Sequence, residues 1–513
     1  MVRHGLRSEV GVVGARLLFA NGNLQHAGVV MGCSRIADHP FIAASPDKPG
    51  YMMRACLTQN YSAVTGACLL IGKDLYAKTG GMDETDLKVL YNDVDLCLKV
   101  RELGYEVVWT PNATLIHKAS VSLKSSHGSS DRRIQTIRRR KHESDVMFSR
   151  WLKWMASDPA YNRNLSFSTN NFDQEIDEAL CWDPGWRPAP RIIAYPGDYS
   201  GCGEYRIFAP CRALNKAGLA QAHVSKKIYH EAELAKINPD VLLVQRHIEE
   251  IQFHGLDKAK RYSKAFRVFE LDDLLHNLSP RSTHREVMHG DELERLVEAI
   301  SRCDRFVTTT PELANAYGKY CGDARIVPNY LERAKWGQLS PVRLQNSKPR
   351  VGWAGGASHT GDLELLYPVI KALHKEVEWV IFGLCPESLR PFIHEYHRGV
   401  ELDFYPSKLA SLNLDLALAP LEYHPFNEAK SSLKILEYGV LGYPVICTDI
   451  SNYRGEFPVT RVSNTPNEWI EAIRHSIADR NALAAQGDTL RKHIQDHWML
   501  EDNLDKWLEA WLP

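Results

Sequence analysis

The chain lacks most of the features that mark special classes of protein. No run of about 18 apolar residues occurs, so no membrane-spanning helix is expected. Its 11 cysteines include no CxxC pair. Their number is odd and the chain is long, so a disulfide framework is not expected and a reducing cytoplasm fits better. Several lie in apolar runs such as Thr65-Gly-Ala-Cys-Leu-Leu-Ile71, where Cys acts as a small hydrophobe. Neither sign of charge dominates: 62 Lys+Arg against 63 Asp+Glu give a formal net charge of −1. A neutral chain gives no support for a nucleic-acid partner. No apolar segment follows Met1-Val-Arg-His-Gly-Leu-Arg7, so no signal peptide is expected. No internal repeat is evident. What is present, 513 residues with 44% hydrophobic and 24% charged, is ordinary globular composition. At roughly 100–200 residues per domain it predicts three compact units.

Residues 1–120 read as strand, loop, strand, helix, strand. Residues 10–19 are β-rich, 63–72 form an apolar run, 91–103 have helical spacing and 105–110 return to strand. A Ser-rich loop after residue 120 leads into a basic helix from about Arg132. The Asn/Asp/Pro-rich stretch 157–190 reads as a linker. From Arg191 short β runs alternate with helical patterns. The expected strands are 191–195, 241–245, 266–271 and 305–308, then 350–354, 378–382, 414–419 and 444–448. Such alternation predicts α/β domains with parallel sheets covered on both faces. Two series in tandem predict two Rossmann-like domains, with 340–348 as the hinge.

The strongest local signal is Asn427-Glu-Ala-Lys-Ser-Ser-Leu-Lys-Ile-Leu-Glu-Tyr438, which follows a strand and opens a helix. On a continuous helix Lys430, Lys434 and Glu437 share one face. Ser431 and Ser432 lie near its start, where free N–H groups and the dipole favour a diphosphate. Lys430 would add positive charge and Glu437 would accept from ribose hydroxyls. On spacing alone, an ion-paired surface helix explains the same residues. A second signal is Val351-Gly-Trp-Ala-Gly-Gly-Ala-Ser-His-Thr-Gly-Asp362, a strand entering a glycine-rich turn. Gly355 and Gly356 there would admit close backbone approach, with His359 beside them. Neither GxGxxG nor a P-loop is matched, so a nicotinamide-dependent oxidoreductase has no motif support.

Ser200-Gly-Cys-Gly-Glu-Tyr-Arg206 and Glu270-Leu-Asp-Asp273 occupy strand ends in the first of these domains. Arg206, Asp272 or Asp273 are candidates to face a cleft, although an aspartate there is often a cap or turn former. In the first 150 residues Asp93 and Asp95 stand at i and i+2, so at most one serves a given site. His117 follows a strand; a lone His is more often structural than a metal ligand. Six basic residues fall within 132–141, which could bind phosphate or a membrane surface; a solvated helix face is the better fit to a chain that is neutral overall.

Two family resemblances build on these residues. Val10-Gly-Val-Val-Gly-Ala-Arg-Leu-Leu18, Gln25-His-Ala-Gly28, Gly80-Gly-Met-Asp-Glu84, Asn92-Asp-Val-Asp-Leu-Cys97 and Leu115-Ile-His117 resemble the C-terminal half of a glycosyltransferase family 2 domain of the GT-A fold. The later 158–165 resembles the tail of such domains. That resemblance implies Asp93 as the acceptor-activating base and His117 as a metal ligand. A complete domain would begin with nucleotide-binding strands and a DxD motif, which the residues before Val10 do not contain. The part is therefore expected to be an incomplete GT-A-like domain, able to take a divalent metal only once completed.

Residues 190–513 resemble glycosyltransferase family 4, of the GT-B fold, through Gly201-Cys-Gly-Glu-Tyr-Arg206, Phe269-Glu-Leu-Asp-Asp273, Val327-Pro-Asn329, Gly352-Trp-Ala-Gly-Gly356, Lys430–Tyr438 and Gly442-Tyr-Pro-Val445. The implied fold class is α/β, an incomplete GT-A-like domain followed by a GT-B module of two Rossmann-like domains. The expected boundaries are 1–150, a linker 151–189, an acceptor-side domain 190–340 and a donor-side domain 341–513. The implied function is a cytoplasmic glycosyltransferase moving a sugar from a nucleotide-diphosphate sugar to a glycan or lipid-linked acceptor in surface polysaccharide synthesis. Anomeric configuration would be retained and the GT-B module would need no metal cofactor. Gly355, Gly356, His359, Lys430, Ser431, Ser432, Lys434 and Glu437 would hold the donor. Gly203 and Glu204 would lie on the acceptor side, with Arg206 and Asp272 in catalysis. Peripheral contact with the cytoplasmic membrane face fits a lipid-linked acceptor. Many family members carry a second glutamate eight positions before the Glu437 equivalent; here that position is Ala429, and Glu428 or Asn427 just before it is the candidate to stand in. The alternative is a non-catalytic sugar-nucleotide or glycan-binding scaffold.

Overall fold

A computed structural model describes residues 1–118, 130–278, 290–356 and 359–513. The expected Ser-rich loop and residues 357–358 of the glycine-rich turn lie outside the described residues. The chain divides into two compact units. One comprises Met1–Pro188, Ile228–Pro239 and Asp257–Lys264, and the other Ala189–Lys227, Asp240–Leu256 and Ala265–Pro513.

The first unit is built on a mixed sheet. Its central strand Val10–Leu18 pairs in parallel with Glu106–Ile116 and antiparallel with Leu24–His26 and Leu69–Ile71, while Gln59–Tyr61 adds to the far side. Gly14 is needed because a Cβ there would press into the Val64 side chain. The long helix Ser130–Ala156 supplies Met147, Phe148, Trp151 and Met155 to the core. The helix Asn92–Glu102 separates the two aspartates as its spacing requires. Asp95 is fully buried, accepting from the Trp151 indole at 2.8 Å and pairing with Lys99 at 2.6 Å. Asp93 points elsewhere and accepts from the backbone N–H of Gly66 at 2.7 Å.

The second unit holds two Rossmann-like lobes, each a six-stranded sheet with every neighbouring pair parallel. The first lobe uses Arg191–Tyr195, Gln221–Val224, Val241–Gln245, Phe266–Leu271, Arg305–Thr308 and Ala324–Ile326. In chain order its strands lie 2-1-3-4-5-6 across the sheet. The second lobe uses Arg350–Gly355, Glu378–Gly383, Glu395–His397, Leu416–Ala419, Val445–Thr448 and Thr460–Val462, in the order 3-2-1-4-5-6. Central strands such as Val241–Gln245 and Leu416–Ala419 are buried at every position, as parallel strands covered on both faces must be.

The chain crosses between these lobes twice. Tyr330 packs in the first lobe's core and Leu331 in the second's. The return crossing runs beside it: the Leu331 N–H donates to Trp498 O at 3.0 Å and the Leu500 N–H to Leu331 O at 2.9 Å. The last helix, Leu504–Trp511, then buries Trp507 and Trp511 in the first lobe. The Arg305 guanidinium donates to the carbonyls of Glu509, Ala510 and Leu512, satisfying groups that a helix end leaves without partners. The expected hinge at 340–348 is corrected. Its polar composition suggests a linker, but Arg343 anchors it to Gly442 O at 2.7 Å and to Ala484 O at 3.0 Å inside the second lobe.

Candidate functional site

Each lobe's strand order reverses at one place, and open α/β sheets bind ligands outside the carboxyl ends of the strands that flank such a reversal. In the second lobe these strands are Arg350–Gly355 and Leu416–Ala419. In the first they are Arg191–Tyr195 and Val241–Gln245.

At the second lobe's reversal Asp362 is a buried hub. Its Oδ1 accepts from the Glu422 N–H at 2.8 Å and the Asn427 side-chain amide at 3.0 Å. Its Oδ2 lies 2.8 Å from His359 Nδ1 and 3.9 Å from Lys430 Nζ. Burial pushes the His359 imidazole down to about 4, and the Lys430 charge adds to this, so the ring is neutral near pH 7. Hydrogen bonding to the Asp362 carboxylate then puts its proton on Nδ1 and leaves the Nε2 lone pair facing away. Burial likewise lowers Lys430, against the opposing pull of Asp362 and Asp273. Gly361 has no room for a Cβ because the Glu422 carboxylate occupies that place. A Cβ on Gly356 would meet open space, whereas one on Gly355 would strike the Trp353 ring.

The expected continuous helix from Asn427 is corrected. Pro425–Glu428 forms one short turn and the next helix is Leu433–Val440, so Lys430 and Ser431 precede it. The break re-aims Lys430 toward Asp362 while Lys434 pairs with Glu437 at 3.6 Å. The helix start meets the first lobe directly. The Thr310 hydroxyl donates to Ala429 O at 2.9 Å and the Asn329 amide donates to Ser431 Oγ at 3.0 Å. Beside it lies a cavity of about 580 Å3 that Ser431, Ser432, Thr309, Tyr330 and Asn452 help to line. Among the described residues, the buried Thr309 hydroxyl and the Asn452 side-chain amide have no hydrogen-bond partner. Neither Asn427 nor Glu428 substitutes freely for an absent glutamate. Asn427 is spent on Asp362 and Glu422 O, and Glu428 accepts from the Ser451 N–H at 3.0 Å.

Glu437 is buried and both its oxygens are engaged. Tyr205 of the first lobe donates to Oε1 and Tyr405 of the second to Oε2, each at 2.9 Å. Burial and the adjacent carboxylate push both phenols well above their ordinary value, so both remain donors. Tyr205 reaches across because Glu204–Phe208 winds as a π-helical turn, which shifts side chains relative to an α-helix.

Arg206, on the same turn, is corrected from cleft to core. It is 0% exposed. It forms a two-pronged ion pair with Glu270, whose closest approach is 2.6 Å, donates to Val327 O at 2.6 Å, and lies 4.5 Å over the Trp507 ring. Its remaining contact is to Asn329 Oδ1 at 3.1 Å, so Glu270, Arg206, Asn329 and Ser431 form one chain from the first lobe's core to the segment just before the helix Leu433–Val440.

Asp272 is also corrected. It is buried and held by Arg246 at 2.6 Å, as Asp273 is at 2.7 Å. Neither caps a helix. Cys202 joins them close enough to suggest a metal site, but the Arg246 guanidinium already donates to all three. Arg246 holds this place with a left-handed backbone, φ 55°, at the end of a strand on the first lobe's reversal. Gly203 is buried, and its N–H donates to Asp198 Oδ1 at 3.1 Å. Glu204 is drawn into ion pairs with Arg212 and with Lys335, the latter at 2.9 Å. In the first unit His117 is exposed, with Nδ1 3.0 Å from the Gln25 side chain. No cluster of three metal-binding side chains among the described residues includes it.

Sequence reasoning passed over Arg246, Asn329, Asp362, Tyr205 and Tyr405. Asp362, Asn329 and Tyr205 stood in motifs already singled out. The pairing of the two tyrosines with Glu437 gave no signal, because it depends on two lobes meeting.

No protein-family model matches the chain. It is 44% identical over 172 residues to an uncharacterized protein, y4gI, of Sinorhizobium fredii, and 33% identical over 177 residues to the O-antigen biosynthesis protein RfbC of Myxococcus xanthus. The matches cover 34% and 33% of this chain but only 18% and 13% of those longer relatives. Among solved structures it is similar to the sucrose-phosphate synthase of Thermosynechococcus elongatus, with 13% identity and a TM-score of 0.45 over 62% of this chain and 98% of that one. It is also similar to a glycosyltransferase of Rickettsia africae, with 12% identity and a TM-score of 0.45 over 63% of this chain and 98% of that one.

Proposed function

We propose that the two lobes of residues 190–513 form a GT-B glycosyltransferase that takes a nucleotide-diphosphate sugar and passes the sugar to a glycan or lipid-linked acceptor in polysaccharide synthesis. The reading is carried by one observation: the segment after the second lobe's reversal strand Leu416–Ala419 leads through Lys430 to the start of the helix Leu433–Val440, where Ser431 and Ser432 help to line a cavity between the lobes. The family 4 resemblance and the O-antigen relative point the same way.

On this reading the diphosphate lies against Lys430, Ser431, Ser432 and the open face of Gly356. As the sugar–phosphate bond breaks, negative charge grows on the leaving oxygen. A fixed ammonium and unsatisfied N–H groups stabilise it without reorganising, in place of a metal. The Nε2 lone pair of His359 accepts from a sugar hydroxyl. Glu437 receives the ribose diol in place of the hydroxyls of Tyr205 and Tyr405, which present the same donor chemistry. Closure of the lobes excludes water and suppresses hydrolysis. The first unit is read as GT-A-like, with Asp93 matching a base and His117 a metal ligand.

One observation favours a second reading, a non-catalytic sugar-nucleotide scaffold: both Glu437 oxygens are already paired. Nucleoside diphosphate release from a panel of sugar nucleotides separates the two. Turnover that falls at least tenfold in Glu437→Ala supports the enzyme. Tight binding without turnover in the wild type supports the scaffold.

The lowered Lys430 sets a pH limit. Its ammonium is the binding form, so nucleoside diphosphate affinity should fall as pH rises through a midpoint below the ordinary 10.5. Calorimetric titration across alkaline pH checks this. In Lys430→Arg the limb should disappear, and an unchanged limb would place the titrating group elsewhere.

A further inference from the structure

We infer that the exposed first half of the helix Ser130–Ala156 is a docking surface for an anionic lipid bilayer. Within it Arg133, Arg138, Arg140 and Lys141 are exposed and Arg139 half-exposed. Among the described residues no carboxylate pairs with any of them, although the chain as a whole is neutral. By contrast, the basic residues further along are matched: Arg150 bridges Asp83, Asp86 and Asp95, and Lys153 pairs with Glu102.

The same stretch exposes apolar surface. Ile134 is 47% and Ile137 59% exposed. At roughly 100° per residue, Ile134 and Ile137 fall in the middle of an outward arc spanning about 160°. Lys141 lies between them, Arg133 and Arg140 bound the arc on one side, and Arg138 bounds it on the other. Thr136 and Arg139, away from this arc, are half-buried, and Glu143 is buried. Apolar side chains in the centre with cations at both margins is how a helix lies in a membrane interface, its stems buried and its charges among headgroups. A solvated helix face, as the neutral composition suggested, needs neither the isoleucines nor the one-sided charge.

Each Lys or Arg near an anionic surface strengthens binding about fivefold, and the effect weakens as salt rises. The full chain should therefore sediment with phosphatidylcholine vesicles containing phosphatidylglycerol and not with phosphatidylcholine alone. Arg138→Glu with Arg140→Glu should weaken this more than about tenfold. Ile137→Ser should weaken it severalfold with all charges kept. These side chains are exposed, so circular dichroism should be unchanged. Nucleoside diphosphate release from a soluble sugar nucleotide should also be unchanged, which separates loss of docking from loss of the lobes' activity. Equal binding of wild type and charge-reversed protein would overturn the inference. So would indifference of the wild type to phosphatidylglycerol, or self-association or duplex-DNA binding through residues 133–141 in its place.

Discussion

Lys430→Ala is expected to reduce nucleoside diphosphate release by about 10²–10³-fold at saturating donor. The size of the effect follows from the environment of the ammonium. It is 15% exposed, held 3.9 Å from Asp362 and 4.9 Å from the Phe426 ring, so it is fixed before a donor arrives. A charge in so dry a place interacts far more strongly with a leaving diphosphate than one in water does. The Ala variant also leaves Asp362 with one positive neighbour fewer, so His359 should become easier to protonate, which an imidazole NMR titration would detect. A loss of less than about tenfold would sink the assignment of Lys430 to the leaving group.

Arg206→Ala should destabilise the first lobe by about 3–5 kcal/mol, the usual effect of stranding one partner of a buried ion pair. Glu270 is fully buried and its carboxylate has no water to turn to once the guanidinium is gone. Removal also opens a void above Trp507 and frees Asn329, whose amide steadies Ser431. Urea unfolding measures the loss. Adding Glu270→Gln should restore part of it, because the uncompensated charge is then absent. A shift under about 1 kcal/mol for the single variant would mean that the pair behaves as a solvated one. An arginine acting only in chemistry would show the reverse pattern, with stability kept and turnover lost.

The contrast between Arg206 and Lys430 also shows what could be read from the chain alone. Buried central strands were legible. Val-Leu-Leu-Val-Gln at Val241–Gln245 and Leu-Ala-Leu-Ala at Leu416–Ala419 are apolar except for the final Gln245, which leaves little choice of structure. Edge strands were not. Ala324–Ile326 is wholly exposed and Glu395–His397 only half-buried, so neither carries a hydrophobic pattern, and each exists because a neighbour offers a free edge. Lys430 was singled out because phosphate binding calls for local marks: serines, a lysine and a helix start after a strand. Arg206 stood in an equally suggestive glycine-rich motif and went the other way. Whether an arginine on a turn between strand and helix faces a cleft or a core depends on what packs over it. Here that is Trp507, some three hundred residues along the chain. The interlobe pairing of Tyr205 with Glu437 was invisible for the same reason.

The paired crossings at Leu331 and Trp498–Leu500 have a mechanical consequence. A single tether lets two bodies swivel as well as swing, but two tethers bonded to each other act as a strip, which flexes easily across its width and resists torsion. Opening of the gap beside Ser432 is thereby confined to one swinging coordinate. Every approach of the first lobe brings Tyr205, Thr310 and Asn329 back onto the same atoms.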